Sequence, residues 1–66
     1  MTNNIRELRE SRKLSQEQFA KLMDVSRQTI SSLENGHYNP SIVLAFKIAR
    51  YFEQPIESIF SYTEEA

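Results

Sequence analysis

Between Leu14 and Gly36 the chain gives two helix-start signals in quick succession, with an aspartate set between them. Ser15 precedes Gln16-Glu17-Gln18, the Ser-x-x-Gln pattern of a capping box, in which side chains and backbone N–H groups at a helix start satisfy one another. Ser26 repeats the signal before Arg27-Gln28-Thr29. Asp24 stands where the first helix must stop and turn, and aspartate tolerates the left-handed backbone better than most residues other than glycine. The direct reading is two short amphipathic helices joined by a tight turn.

A helical wheel at about 100° per residue places Ile30 and Leu33 on one side of the second helix. Gln28, Ser31, Ser32 and Asn35 fall on the opposite side. In the first helix Phe19, Ala20, Leu22 and Met23 cluster inward, while Glu17 and Lys21 face water as an i,i+4 pair. Ala20 lies where the helices cross, small enough to let them approach closely, and Val25 plugs the angle between them.

This stretch resembles the helix-turn-helix of the phage-repressor and Cro family through Gln16, Ala20, Val25, Ile30 and Leu33, followed by Glu34-Asn35-Gly36. The likeness extends over nearly the whole chain. Asn39-Pro40-Ser41 and the Ile48-Ala49-x-x-Phe52 stripe look like that family's fourth helix. Asp24 departs from the family pattern, where glycine is common. The short chain looks closest to the family's small stand-alone regulators. The resemblance implies an all-α fold: a compact five-helix bundle with a central helix-turn-helix over about residues 16–35.

The chain has 66 residues, which suits one domain spanning 1–66. At this size about 60% of the unfolded surface is buried, so stability is small but sufficient. With no cysteine, disulfides and thiolate zinc sites are excluded, and a single histidine argues against a metal site. No cofactor is expected. No apolar run approaches a membrane span and no leader is apparent, so a soluble, cytoplasmic protein is expected, with no membrane partner. An enzyme is disfavoured by the absence of cysteine, the lone loop histidine, the lack of a Gly-rich phosphate loop and the small size.

Net charge is −1, which at first argues against a nucleic-acid partner. The distribution argues otherwise. Residues 1–50 hold all eight Lys and Arg against five acids, a balance of +3. Residues 51–66 hold four acids and no base, a balance of −4. A DNA-facing side and a side facing away fit this split, as does ordinary solvated charge.

Along the chain, Asn3 or Asn4 caps a first helix running to about Lys13, with Ile5 and Leu8 on its inner edge. Asn35-Gly36 ends the third helix, and Ser41 caps the fourth. Gln54-Pro55 breaks the fourth, and Pro55 suits the start of a short fifth. No strand pair is evident, and a two-residue strand in the tail stays open. The expected core is Leu8, Leu14, Phe19, Ala20, Leu22, Val25, Ile30, Leu33, Ile42, Ala45, Ile48, Ala49, Phe52, Ile56 and Ile59.

The resemblance implies that the third helix enters the major groove of double-stranded DNA. Arg27 and Gln28 in its first turn would read bases: arginine bonds two acceptors of guanine at once, and glutamine pairs with adenine. Ser31 and Ser32 are short donors further along. The alternative is that all four are ordinary solvated residues. Phosphate contacts are implied for Gln16 and Ser26 at the helix starts and for Asn35, His37, Tyr38 and Asn39 after the third helix. Gln16 is also expected to brace Gln28. His37 reads equally well as an ordinary loop residue. Family members pair a glutamate like Glu34 with an arginine on the first helix, which implies a structural Arg9–Glu34 ion pair. Arg6, Arg12, Lys13, Lys47 and Arg50 are solvated by default, with a phosphate contact open to any of them.

Apolar residues exceed what one small core needs. Val43 and Phe46 fall on the polar side of the fourth helix, and Phe60 and Tyr62 lie at the end. Helix five and the tail, residues 55–66, are the first candidate for a homodimer interface, through Ile59, Phe60 and Tyr62 with Phe46. The expectation is a sequence-specific regulator, most simply a repressor, with no small-molecule effector because no sensor domain is present. A protein-partner module, such as an antitoxin or a coactivator-type protein, is the alternative. A restriction–modification controller is equally compatible among DNA binders.

Overall fold

Three serines start three helices in the computed structural model, which describes residues 2–62. Helix α1 spans Ile5–Ser11, α2 Gln16–Met23, α3 Arg27–Glu34, α4 Ile42–Phe52 and α5 Ile56–Ile59. Ser15 Oγ accepts from Gln18 N–H at 3.0 Å while Gln18 Oε1 accepts from Ser15 N–H at 2.8 Å, completing the capping box. Ser26 and Ser41 each accept from the amide three residues on, Thr29 and Leu44, at 3.1 Å. At α1 the N-cap Asn4 makes no side-chain cap bond, and Asn3, one residue earlier, accepts through Oδ1 from Ile5 N–H at 3.2 Å.

The first four helices all end in the same double turn. In each, one amide bonds back three residues and the next bonds back five: Lys13 and Leu14, Asp24 and Val25, Gly36 and His37, Glu53 and Gln54. The turning residue is left-handed in all four, with φ of 57° at Lys13, 61° at Asp24, 75° at Gly36 and 55° at Glu53. Asp24 therefore takes up the glycine-like conformation. The first helix stops at Ser11, short of the Lys13 end that the sequence suggested, because Lys13 turns Leu14 back toward the core.

Ile5, Phe19, Ile30, Leu33, Ile48 and Ile59 are completely buried at the centre, and Leu8, Leu14, Val25, Tyr51 and Ile56 pack around them. Two expected core residues are on the surface. Leu22 is 52% exposed because α2 buries the stripe Phe19, Ala20 and Met23, and Leu22 lies about 100° from its centre. Ile42 is 71% exposed, whereas Leu44, which is absent from the expected core, is buried. The rings of Phe19 and Phe52 lie 5.5 Å apart, Tyr51 meets Phe19 edge-on at 5.9 Å, and the Arg12 guanidinium covers Tyr51 at 5.0 Å.

The ends of the described chain meet in a ladder: the sequence leaves open a two-residue strand near the tail, but its partner at the start of the chain is not expected. Strand β1, Thr2–Asn3, runs antiparallel to β2, Phe60–Ser61, with Thr2 opposite Ser61 and Asn3 opposite Phe60. Asn4 N–H extends the pairing to the Ile59 carbonyl at 3.1 Å. This clasp folds Ile59 and Phe60 inward, at 2% and 8% exposure. Their side chains belong to the core of this chain, a correction to their assignment as a free dimer surface. Of the candidate dimer element at 55–66, residues 63–66, including Glu64 and Glu65 of the acidic tail, lie outside the described residues. No helix among the described residues is long and apolar enough to cross a membrane.

Candidate nucleic-acid interface

Helix α3 presents two unlike faces. Ile30 and Leu33 are completely buried and fix its roll against the core. Arg27 and Gln28, in its first turn, are exposed, and neither makes a side-chain hydrogen bond or ion pair among the described residues. Ser31 and Ser32 are half-buried at the rim of the same face. The Ser26 hydroxyl is committed to the helix start, accepting from Thr29 N–H and lying 2.8 Å from the Thr29 hydroxyl.

The far end of α3 is anchored by charge. The Glu34 side chain has no exposed surface. Its Oε2 accepts from Arg9 Nε at 2.7 Å, and its Oε1 accepts from Arg9 Nη2 at 3.2 Å, a two-point arginine–carboxylate pair. Gln16 Nε2 adds a bond to Oε1 at 3.1 Å, and Arg6 Nε approaches the same oxygen at 3.5 Å. Burial alone would push the Glu34 carboxyl up. The bonds from Arg9, Gln16 and Arg6, with the charge of Arg9, outweigh it and hold the carboxyl below the ordinary glutamate range. The bond to Glu34 in turn raises Arg9 against the opposing effect of its burial. Arg9 Nη1 also donates to the Leu14 carbonyl at 2.7 Å, so one residue joins α1, the α1–α2 turn and α3.

Two expectations change here. The Gln16 amide braces Glu34 at the end of α3 and not Gln28 at its start. Arg6, read as simply solvated, donates from Nη2 to Asn35 Oδ1 at 3.3 Å. Arg6 and Arg9 are three residues apart and share a face of α1, which is the spacing that signals this relation. Asn35, His37, Tyr38 and Asn39 follow as an exposed loop, held at its start by His37 N–H donating to the Ser32 carbonyl at 2.9 Å. Among the described residues no group of three or more His, Cys, Asp or Glu could hold a metal ion.

The arrangement places a free polar helix face and an exposed polar loop on a rigidly braced helix pair. The helix-turn-helix family model HTH_3 matches residues 5–59. The chain belongs to the HTH_3 helix-turn-helix family. Members of the family are DNA-binding regulators of transcription, and this HTH_3 chain is a transcriptional regulator and not an enzyme. It is 48% identical over 65 residues to a protein of Methanocaldococcus jannaschii named as an uncharacterized HTH-type transcriptional regulator, covering 98% of each chain. It is 40% identical, again over 98% of each chain, to the similarly named YgzD of Bacillus subtilis. Among solved structures it is similar to the restriction-modification controller protein C.AhdI of Aeromonas hydrophila, with 34% identity, a TM-score of 0.74 and 85% of each chain covered. These likenesses agree with the five-helix Cro/C1-type architecture.

Proposed function

We propose that this HTH_3 protein is a cytoplasmic repressor that binds an inverted-repeat operator as a homodimer, with α3 in the major groove. The observation that carries the reading is the pair Arg27 and Gln28: exposed, unpartnered among the described residues, and held in the first turn of a helix whose opposite face is locked in the core. These two residues read bases, with Ser31 and Ser32 at the rim of the same face. Gln16, Ser26, Asn35, His37, Tyr38 and Asn39 set the register on the phosphates. Helix starts favour such anions because their amides point outward.

One domain reads one half-site, and two copies about a two-fold axis read two, with recognition helices about 34 Å apart. The dimer face in this reading is the exposed apolar side of α4, Ile42, Val43 and Phe46, with Tyr62. Repression follows from occupancy, and control comes from protein concentration or a second protein without a small-molecule effector.

The test is a binding titration on the fragment spanning the protein's own promoter and on random duplex DNA, comparing wild type with Gln28→Ala at two salt concentrations. The expected result is tight, salt-dependent binding to the fragment that Gln28→Ala weakens. Absence of binding to any DNA at low salt would falsify the reading and bring forward a protein-partner role.

A further inference from the structure

One side chain in the chain-end clasp reaches the end of the recognition helix. Asn3 lies in β1, with its backbone opposite Phe60. Its Oδ1 accepts from Ile5 N–H, and its Nδ2 donates to the Leu33 carbonyl at 2.8 Å. That carbonyl also accepts from Gly36 N–H, at 3.1 Å, in the turn that closes α3. Asn3 therefore grips the turn from which Asn35 and the following loop project.

The surroundings make this bond matter. Between β1 and the end of α3 lies a hollow of about 190 Å³, lined by Thr2, Asn3, Glu34, Asn35 and Gly36. The space is not filled by apolar side chains, so close packing does not press β1 onto the turn. The amide of Asn3 spans the junction instead.

We propose that Asn3 is a positioning residue for DNA binding: it holds the end of α3 and the start of the phosphate-contacting loop in place from the chain-end clasp. The proposal rests on the DNA-binding reading given above. It also links the clasp, built from the two ends of the described chain, to the recognition helix.

The discriminating variant is Asn3→Ser. A serine hydroxyl still accepts from Ile5 N–H at the start of α1 but is too short to reach the Leu33 carbonyl. Amide hydrogen exchange and DNA affinity are measured together, with the duplex that wild type selects from a randomised pool as the probe. The expected result is faster exchange at Gly36 and His37 with α2 protection unchanged, and an affinity loss of about three- to tenfold. Uniformly faster exchange across all helices would mean a merely structural role and would overturn the proposal. So would unchanged affinity in a variant whose Gly36 and His37 exchange has risen. If Asn3→Ser does not fold, Asn3→Asp keeps the shape and the acceptor but loses the donor, and Gly36 and His37 exchange and DNA affinity are read together by the same criteria. Wild type that selects no duplex overturns the DNA-binding reading itself, whereas wild type that binds while Asn3→Ser binds equally well overturns only the role of Asn3.

Discussion

Glu34 is a carboxylate without exposed side-chain surface, surrounded by Arg9, Gln16 and Arg6. Removing one member of such a pair strands the other charge away from water, at a cost of about 3–5 kcal/mol. Arg9→Met is therefore expected to lower the unfolding temperature sharply, and the double change Arg9→Met/Glu34→Leu to recover much of the loss; a double variant no better than the single one would refute this view of the pair. The same site gives the protein an acid limit. A carboxyl held below its ordinary value of 4.5 in the fold contributes stability fully above that pH, and the contribution is lost as pH falls through the folded value. Thermal unfolding from pH 7 to pH 3 is expected to show a steep loss below about pH 4.5 for wild type and a shallower one for Glu34→Gln, which starts less stable at pH 7. The pairing of Arg9 with Glu34 was legible through the family resemblance. The shares of Gln16 and Arg6 were not, because their distances to Glu34 depend on how three helices meet, which no single helical wheel contains.

At the scale of elements, starts were easier to read than stops. Ser15, Ser26 and Ser41 announce their helices by local chemistry, since a serine hydroxyl and an amide three residues on suffice. Lys13 and Glu53 end helices in the left-handed conformation without any residue preference that signals it. They turn because Leu14 and the segment leading to Ile56 must return to the core, a tertiary demand. A side chain other than glycine in that conformation costs roughly 1–2 kcal/mol, partly offset by the lower freedom of the unfolded chain. Glu53→Gly is expected to stabilise the protein by about 0.5–1 kcal/mol, seen as a rise of a few degrees in thermal unfolding. Unchanged or lowered stability would show that the turn carries no strain. Helix α4 was the hardest to orient: with apolar residues on every side, periodicity put Ile42 in the core in place of Leu44, and the packing against α2 and α5 reverses that choice. The clasp was invisible because strands of two residues have no period to detect.

For the whole molecule, the two proposed surfaces lie on different elements, with base-reading side chains on α3 and exposed apolar side chains on α4. They can be separated experimentally. Phe46→Asp places a charge in the proposed dimer face without touching α3, since Phe46 is 52% exposed. Sedimentation is expected to show a monomer with unchanged helicity, and the two-site operator to be bound far more weakly than by wild type while a single half-site is bound equally. A dimer that survives Phe46→Asp would move the interface elsewhere. The clasp also has a kinetic consequence. Most of the fold is built from helices joined by short turns, whose contacts close quickly, whereas Thr2 and Ser61 meet only after nearly the whole described chain has been brought round. The ladder is then expected to form last and to open first. Substitutions in it are expected to leave the folding arm of the chevron in place and to raise the unfolding rate, so that these two short strands bear on how long the fold lasts more than on how fast it is reached.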